Sequence, residues 1–199
     1  MPLKCETNLL QDLGEFNKFL ELVKKLGVRS YLEIGSKHGG SWWRISNALP
    51  KGSRVVSVDL PHGDGSFKVT EPSLKACHEE LKRRGYDAHL FLTDSTNRAT
   101  IEAVHKLGPF DLVFIDANHT EPYVRQDWAN YGPLGNVVAF HDIAWKFLAH
   151  KDDIKRLPIH VPEVWAEIKR GYEHIEIKHC VAANGIGVLW RNRPIASTS

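Results

Sequence analysis

Cysteine is scarce: three in 199 residues, Cys5, Cys77 and Cys180. An odd, scattered set without metal-type spacing is not a disulfide framework and points to a reducing cytoplasm. No stretch approaches the roughly 18 consecutive apolar residues of a membrane span. The first residues, Met1 to Glu6, lack the apolar core of a signal peptide. No basic block stands out and the formal net charge is only +2, so nothing marks a nucleic-acid or membrane face. Internal repeats and low-complexity tracts are missing too. The expectation is a single cytoplasmic domain over 1–199, large enough for a proper core, with an N-terminal helix (8–26) and two halves, 28–107 and 108–191.

What is present centres on Tyr31-Leu-Glu-Ile-Gly-Ser-Lys-His-Gly-Gly-Ser41. An apolar β-type run meets a glycine-rich turn, and a helical stretch follows. That order builds a nucleotide pocket at the carboxyl end of a parallel strand. The dinucleotide fingerprint G-x-G-x-x-G is absent, because Lys37 stands where its second glycine belongs. A nicotinamide cofactor is therefore disfavoured.

Hydrophobic periodicity orders the rest. Leu9, Leu13, Phe16, Leu20 and Val23 mark one face of a helix over 8–26, with Asn8 placed to cap it and Gly27 to end it. Strands are expected at 30–34, 53–60, 86–93, 110–116 and 134–142, separated by helices at 41–49, 70–84, 97–107 and 120–131. This alternation is a doubly wound α/β sheet. A helix over 161–170 precedes a hairpin, 172–183 and 186–190, joined around Asn184-Gly185. Segment 61–67 reads as a loop beside the pocket and 143–157 as an active-site loop or broken helix; the tail from 192 reads as frayed.

Strand ends carry the chemistry. Asp59, ending the second strand about 20 residues past the glycine turn, is placed to accept ribose hydroxyls. Asp94 and Ser95 follow the third strand, where Asp94, Ser95 or Thr96 also suits a helix cap. Asp116 and His119 follow the fourth, and His141-Asp142 the fifth. In an open parallel sheet these ends converge. Clustered carboxylates and imidazoles are costly unless a cation neutralises them, so a divalent metal is expected, Mg2+ or Ca2+ or, given the histidines, Mn2+ or another transition metal. It would hold substrate hydroxyls and lower their pKa. His119 would remove the proton. Tyr123 and Asp127 share a helix face and read as packing or salt-bridge residues. His62, His78, His89, His105, His174 and His179 read as solvated.

The acidic residue two before Gly35 resembles motif I of the class I S-adenosylmethionine-dependent methyltransferases. Asp-x-x-His after the fourth strand and the His141-Asp142 pair after the fifth are similar to the metal-dependent small-molecule O-methyltransferases: the catechol and macrolide-sugar enzymes and the cephalosporin-hydroxylase-like group. His141 departs from that pattern, which usually has a carboxylate there. The resemblance implies a Rossmann-like seven-stranded sheet in the order 3-2-1-4-5-7-6, strand 7 antiparallel, with helices on both faces. It implies S-adenosylmethionine bound by Glu33, Gly35, Ser36, Gly39, Ser41, Asp59, Leu60, Asp94, Ser95 and Asp116. It further implies metal ligands Asp116, His141 and Asp142, a catalytic base His119, and a small hydroxyl-bearing methyl acceptor. The alternatives are a hydroxylase-like metal enzyme on this scaffold and a non-catalytic cofactor-binding domain. A homo-oligomer is left open.

Overall fold

The computed structural model describes residues 3–62, 70–145, 159–180 and 184–194. The expected 61–67 loop lies mostly outside them, and the 143–157 segment does so beyond Trp145. Short helix α1 (Lys4–Thr7) and helix α2 (Leu13–Leu26) precede strand β1 (Ser30–Ile34). Then follow α3 (Gly40–Ala48), β2 (Arg54–Asp59), α4 (Glu71–Arg83), β3 (Asp87–Leu92), α5 (Arg98–Leu107), β4 (Phe110–Ile115), α6 (Glu121–Tyr131) and β5 (Gly135–His141). Helix α7 (Val161–Ile168) and strands β6 (Tyr172–Ile177) and β7 (Ile186–Pro194) complete it.

The seven strands lie in the order β3-β2-β1-β4-β5-β7-β6. The first five pair in parallel, and β7 runs antiparallel to both β5 and β6. The order reverses at β1, which lies between β2 and β4. Register aligns Ile34 with Val58 and with Ile115, and Ile115 with Phe140. The residues just past these positions therefore share one edge of the sheet, where an open α/β sheet binds ligand.

Side chains alternate across the strands, giving two cores. Tyr31, Phe114, Phe16, Phe19 and Trp42 fill the layer under α2, α3 and α4. Leu32, Ile34, Phe110, Phe140 and Trp165 fill the layer under α5, α6 and α7. Glu33 points the same way as Tyr31, into the first layer.

Helix α2 starts later than the periodicity suggests. Asp12, not Asn8, caps it, accepting from the Glu15 amide at 3.0 Å, while Gly27 ends it at φ 66°. Asn8 instead ends α1, and Asp12 is the residue whose side chain reaches a free amide in the first turn of α2. Leu13 is consequently exposed, and the buried stripe becomes Glu15, Phe16, Phe19 and Val23. Similarly, Asn97 caps α5, taking the Ala99 and Thr100 amides, in place of Asp94, Ser95 or Thr96.

Candidate active site

The glycine turn is fitted to its neighbours as much as to any ligand. Gly35 has φ +90°, and a Cβ there would lie 2.3 Å from the Asp116 carbonyl oxygen. A Cβ on Gly40 would lie 2.0 Å from the Asn8 carbonyl oxygen. Bare backbone at these positions lets β1 meet the end of β4 and lets the N-terminal segment lie against α3.

Around the turn, the Asp59 carboxylate accepts from the Lys37 amide, while burial raises its pKa. Leu60 beside it is exposed. Ser36 and Ser57 share a hydrogen bond of 2.7 Å. Glu33 is fully buried, and its two oxygens accept from Ser41 Oγ and, at 2.5 Å, from the Tyr31 hydroxyl. Burial pushes the Glu33 carboxyl up to about 8, although both hydroxyls favour the ionised form. Glu33 thus braces the turn from beneath.

On the other flank, Asp94 Oδ1 accepts from the Thr96 amide at 2.8 Å and its hydroxyl at 2.7 Å. The Ser95 carbonyl accepts from the Tyr131 hydroxyl at 2.6 Å. Asp127 makes no salt bridge among the described residues. It is fully buried near Ser95, Asp94 and Tyr131, and burial pushes its carboxyl up to about 7.

The sheet edge brings Asp116, His119, His141 and Asp142 together. Asp116 Oδ1 lies 3.3 Å from His119 Nε2 and 3.2 Å from His141 Nδ1. Asp142 Oδ2 lies 3.3 Å from His119 Nε2, and its Oδ1 lies 3.2 Å from His141 Nδ1. Asp142 takes up φ 61°, the left-handed conformation that Asp tolerates better than most residues. Burial opposes ionisation of Asp116, but the charge of His141 and the bonds from both imidazoles outweigh it and hold the carboxyl well below its usual range. Burial likewise opposes charging His119 and His141, yet the surrounding carboxylates raise both. Asp142 is raised, chiefly by burial.

Two residues that sequence reasoning missed complete the cluster, both from the N-terminal segment. Gln11 Nε2 donates to Asp116 Oδ2 at 2.5 Å. Glu15, fully buried, places Oε1 at 3.1 Å from His141 Nε2 and takes the Gly185 amide on Oε2 at 2.9 Å. The signal was in the sequence: Glu15 is four residues before Phe19 and eight before Val23, so an acid interrupts the apolar stripe.

Glu15 separates the two histidines chemically. Both ring nitrogens of His141 face carboxylates, Nε2 that of Glu15 and Nδ1 those of Asp116 and Asp142. Asp116, His119 and Asp142 form the group whose ligand atoms all lie within 4.8 Å of one another. Asp142 Oδ1 is buried, with the His141 imidazole at 3.2 Å beside it. Two carboxylates and an imidazole fit a hard or borderline divalent ion. The backbone holds the loop: the His160 amide donates to the His119 carbonyl at 2.8 Å, and His160 Nδ1 accepts from the Glu121 amide at 3.2 Å.

A family model described as a methyltransferase domain matches residues 32–143, from the middle of β1 to just past Asp142. The chain belongs to this methyltransferase domain family. Among curated proteins, the tapetum-specific methyltransferase 1 of Arabidopsis thaliana is 23% identical over 127 residues, covering 62% of this chain and 51% of the relative. A second Arabidopsis thaliana protein, provisionally named a caffeoyl-CoA O-methyltransferase, is 26% identical over 161 residues, covering 79% of this chain and 63% of its own. The methyltransferase domain described here thus spans between half and two thirds of these relatives' lengths. Among solved structures, the O-methyltransferase TomG of Streptomyces achromogenes superposes with a TM-score of 0.62 at 19% identity, covering 94% of this chain and 86% of that one. An O-methyltransferase from Bacillus cereus gives 0.63 at 16% identity, with 90% and 82% covered. At these identities the likeness establishes the methyltransferase fold.

Proposed function

We propose that this methyltransferase domain transfers a methyl group from S-adenosylmethionine to a hydroxyl of a small polar molecule such as a sugar, a phenol or a natural product. The observation that carries the reading is the meeting of Asp116, His119 and Asp142 at the sheet edge, directly beside the Gly35 turn. The solved structures of TomG and of the Bacillus cereus enzyme hold S-adenosylmethionine and its demethylated product respectively, which supports the choice of methyl donor.

S-adenosylmethionine supplies a methyl group on a positively charged sulfur. In this reading the turn at Gly35, Ser36, Gly39 and Ser41 receives its methionine half, Asp59 and Leu60 its ribose, and Asp94 and Ser95 its adenine. Glu33 acts beneath the turn by fixing Ser41. Transfer makes a bond between the acceptor oxygen and the methyl carbon and breaks the carbon–sulfur bond, the electron pair returning to sulfur. The hydroxyl proton must leave. His119 is placed to take it, because its side chain keeps 32% exposure whereas that of His141 keeps 8%. Glu15, Asp116 and Asp142 hold His141 and set the charge around the reacting oxygen. Positioning supplies much of the remaining rate.

A metal-assisted variant is favoured by the convergence of one ligand atom each from Asp116, His119 and Asp142 within 4.8 Å. Asp116, His119 and Asp142 would hold a divalent ion such as Mg2+, whose chemistry is to lower the pKa of a bound hydroxyl. His119 would then be a ligand rather than the base. Among the described residues no helix is long and apolar enough to cross a membrane, in keeping with a cytoplasmic enzyme acting on a dissolved acceptor.

Calorimetric titration of S-adenosylmethionine, with and without Mg2+ or Mn2+, tests the reading. Binding on the order of −8 kcal/mol is expected. Absence of binding in both conditions removes the methyltransferase reading. Cofactor-dependent turnover that survives chelation removes the metal-assisted variant and leaves His119 as base.

A further inference from the structure

A second group of ligand-type side chains lies outside this cluster. Asp12, His179 and Cys180 each offer one ligand atom, and the three atoms lie within 4.8 Å of one another. They come from opposite ends of the chain. Asp12 caps α2, and His179 and Cys180 follow β6, a juxtaposition that spacing along the sequence could not show.

Both segments are seated by contacts of their own. Asp12 Oδ1 accepts the Glu15 amide at 3.0 Å and lies 3.1 Å from His179 Nδ1. The amide hydrogen bond, with help from His179, holds the Asp12 carboxyl below its usual range. The His179 ring packs against Gly14, where a Cβ would come within 2.3 Å of ring atoms. Next to His179, the Lys178 carbonyl accepts from Lys18 Nζ at 3.3 Å. Cys180 is a free, exposed thiol.

We propose that Asp12, His179 and Cys180 form a binding site for a thiophilic divalent transition metal, Zn2+ in the first instance. A carboxylate, an imidazole and a thiolate are the three donor types that Zn2+ takes, and three protein ligands leave its fourth position to water. Mg2+ and Ca2+ are disfavoured by the sulfur and nitrogen donors. Binding displaces the Cys180 proton and links the α2 cap to the segment after β6. Asp12 also accepts the Glu15 amide, so the metal would brace the Glu15–His141 contact from outside. The site is independent of the methyltransferase reading.

The test is titration of Co2+ into the reduced protein, following thiolate-to-cobalt charge-transfer absorption, then displacement by Zn2+. The expected result is a band that saturates at one equivalent and is removed by Zn2+. C180S abolishes it, and this exposed substitution leaves the fold intact. H179A weakens affinity by roughly a hundredfold or more, at or beyond the upper end of what outer-shell partners cost. D12N separates capping from ligation, because Asn caps helices as well as Asp but lacks the charge: α2 stays folded while cobalt affinity falls. H119A leaves the band unchanged, since the other cluster has no sulfur. A wild-type protein without the band, a band retained in C180S, or unaltered affinity in D12N overturns the proposal.

Discussion

Glu15 and His141 lie 126 residues apart in sequence and meet at 3.1 Å, both buried. The contact carries a helix outside the five parallel strands into the centre of the site. It also gives His141 a carboxylate on each side, Glu15 at Nε2 and Asp116 at Nδ1, which holds this ring in place.

Replacing Glu15 tests that role. Glu15→Gln keeps the shape and one acceptor for the Gly185 amide but removes the charge facing His141. Loss of a buried charged partner costs about 3–5 kcal/mol, so the melting temperature should fall, and Glu15→Ala should lower it further. Turnover should drop in both while S-adenosylmethionine affinity changes little. A variant with unchanged turnover and melting would show that His141 needs no support from α2.

His119→Ala should lower kcat by about 10²–10⁴-fold, the usual worth of a general base, with cofactor affinity within about twofold. Single-turnover kinetics measures the step. A variant of normal rate and pH profile would leave the proton to solvent.

Asp59→Ala should weaken S-adenosylmethionine by about 1.5–3 kcal/mol, the worth of hydrogen bonds to a charged group. Because Asp59 also accepts the Lys37 amide, part of that loss comes from the turn itself. Asp59→Asn keeps an acceptor for Lys37 and should recover part of the affinity. Equal calorimetric affinity in wild type and both variants would exclude the ribose role.

Asp127 makes stability depend on pH. Its folded-state carboxyl lies at about 7, above its unfolded value, so the folded chain holds a proton that the unfolded chain releases. Its destabilising effect is absent below about pH 4, grows as pH rises, and is complete above about pH 7, with a ceiling on the order of 4 kcal/mol. Asp127→Asn removes this dependence. The variant should gain on the wild type progressively between pH 4 and 7 in urea melts; a constant difference across that range would contradict the assignment.

Glu33→Gln should keep the fold, since a neutral side chain already suits that site near neutral pH. Glu33→Ala leaves the Tyr31 and Ser41 hydroxyls without their acceptor and should cost about 1–3 kcal/mol for each unsatisfied group. Chemical denaturation of the two variants measures the difference.

The parallel strands were legible because buried runs such as Phe110–Ile115 end in polar residues and alternate with amphipathic helices. The strand order came from the resemblance to a family, since periodicity does not say which strands are neighbours. Asp116, His119, His141 and Asp142 could be placed together because each follows a strand of one sheet. Gln11 and Glu15 could not, because no local rule says which helix lies over the sheet edge; only packing decides that. The partners of Glu33 were hidden for a related reason. Alternation along β1 turns it inward beside Tyr31, and an inward acid is indistinguishable in sequence from one facing a ligand. The shift of the α2 cap from Asn8 to Asp12 is a boundary matter, settled by which side-chain oxygen reaches a free amide.

The amide of Gly185 and the carboxylate of Glu15 are separated by 170 residues, and this bears on how the chain assembles. Contacts of such sequence separation close large loops and are made late. During synthesis β1 to β5 can pair while the carboxylate of Glu15 still lacks its amide donor, since β7 has not yet emerged. The cluster at the sheet edge therefore reaches its final arrangement only when the β6–β7 hairpin docks against α2.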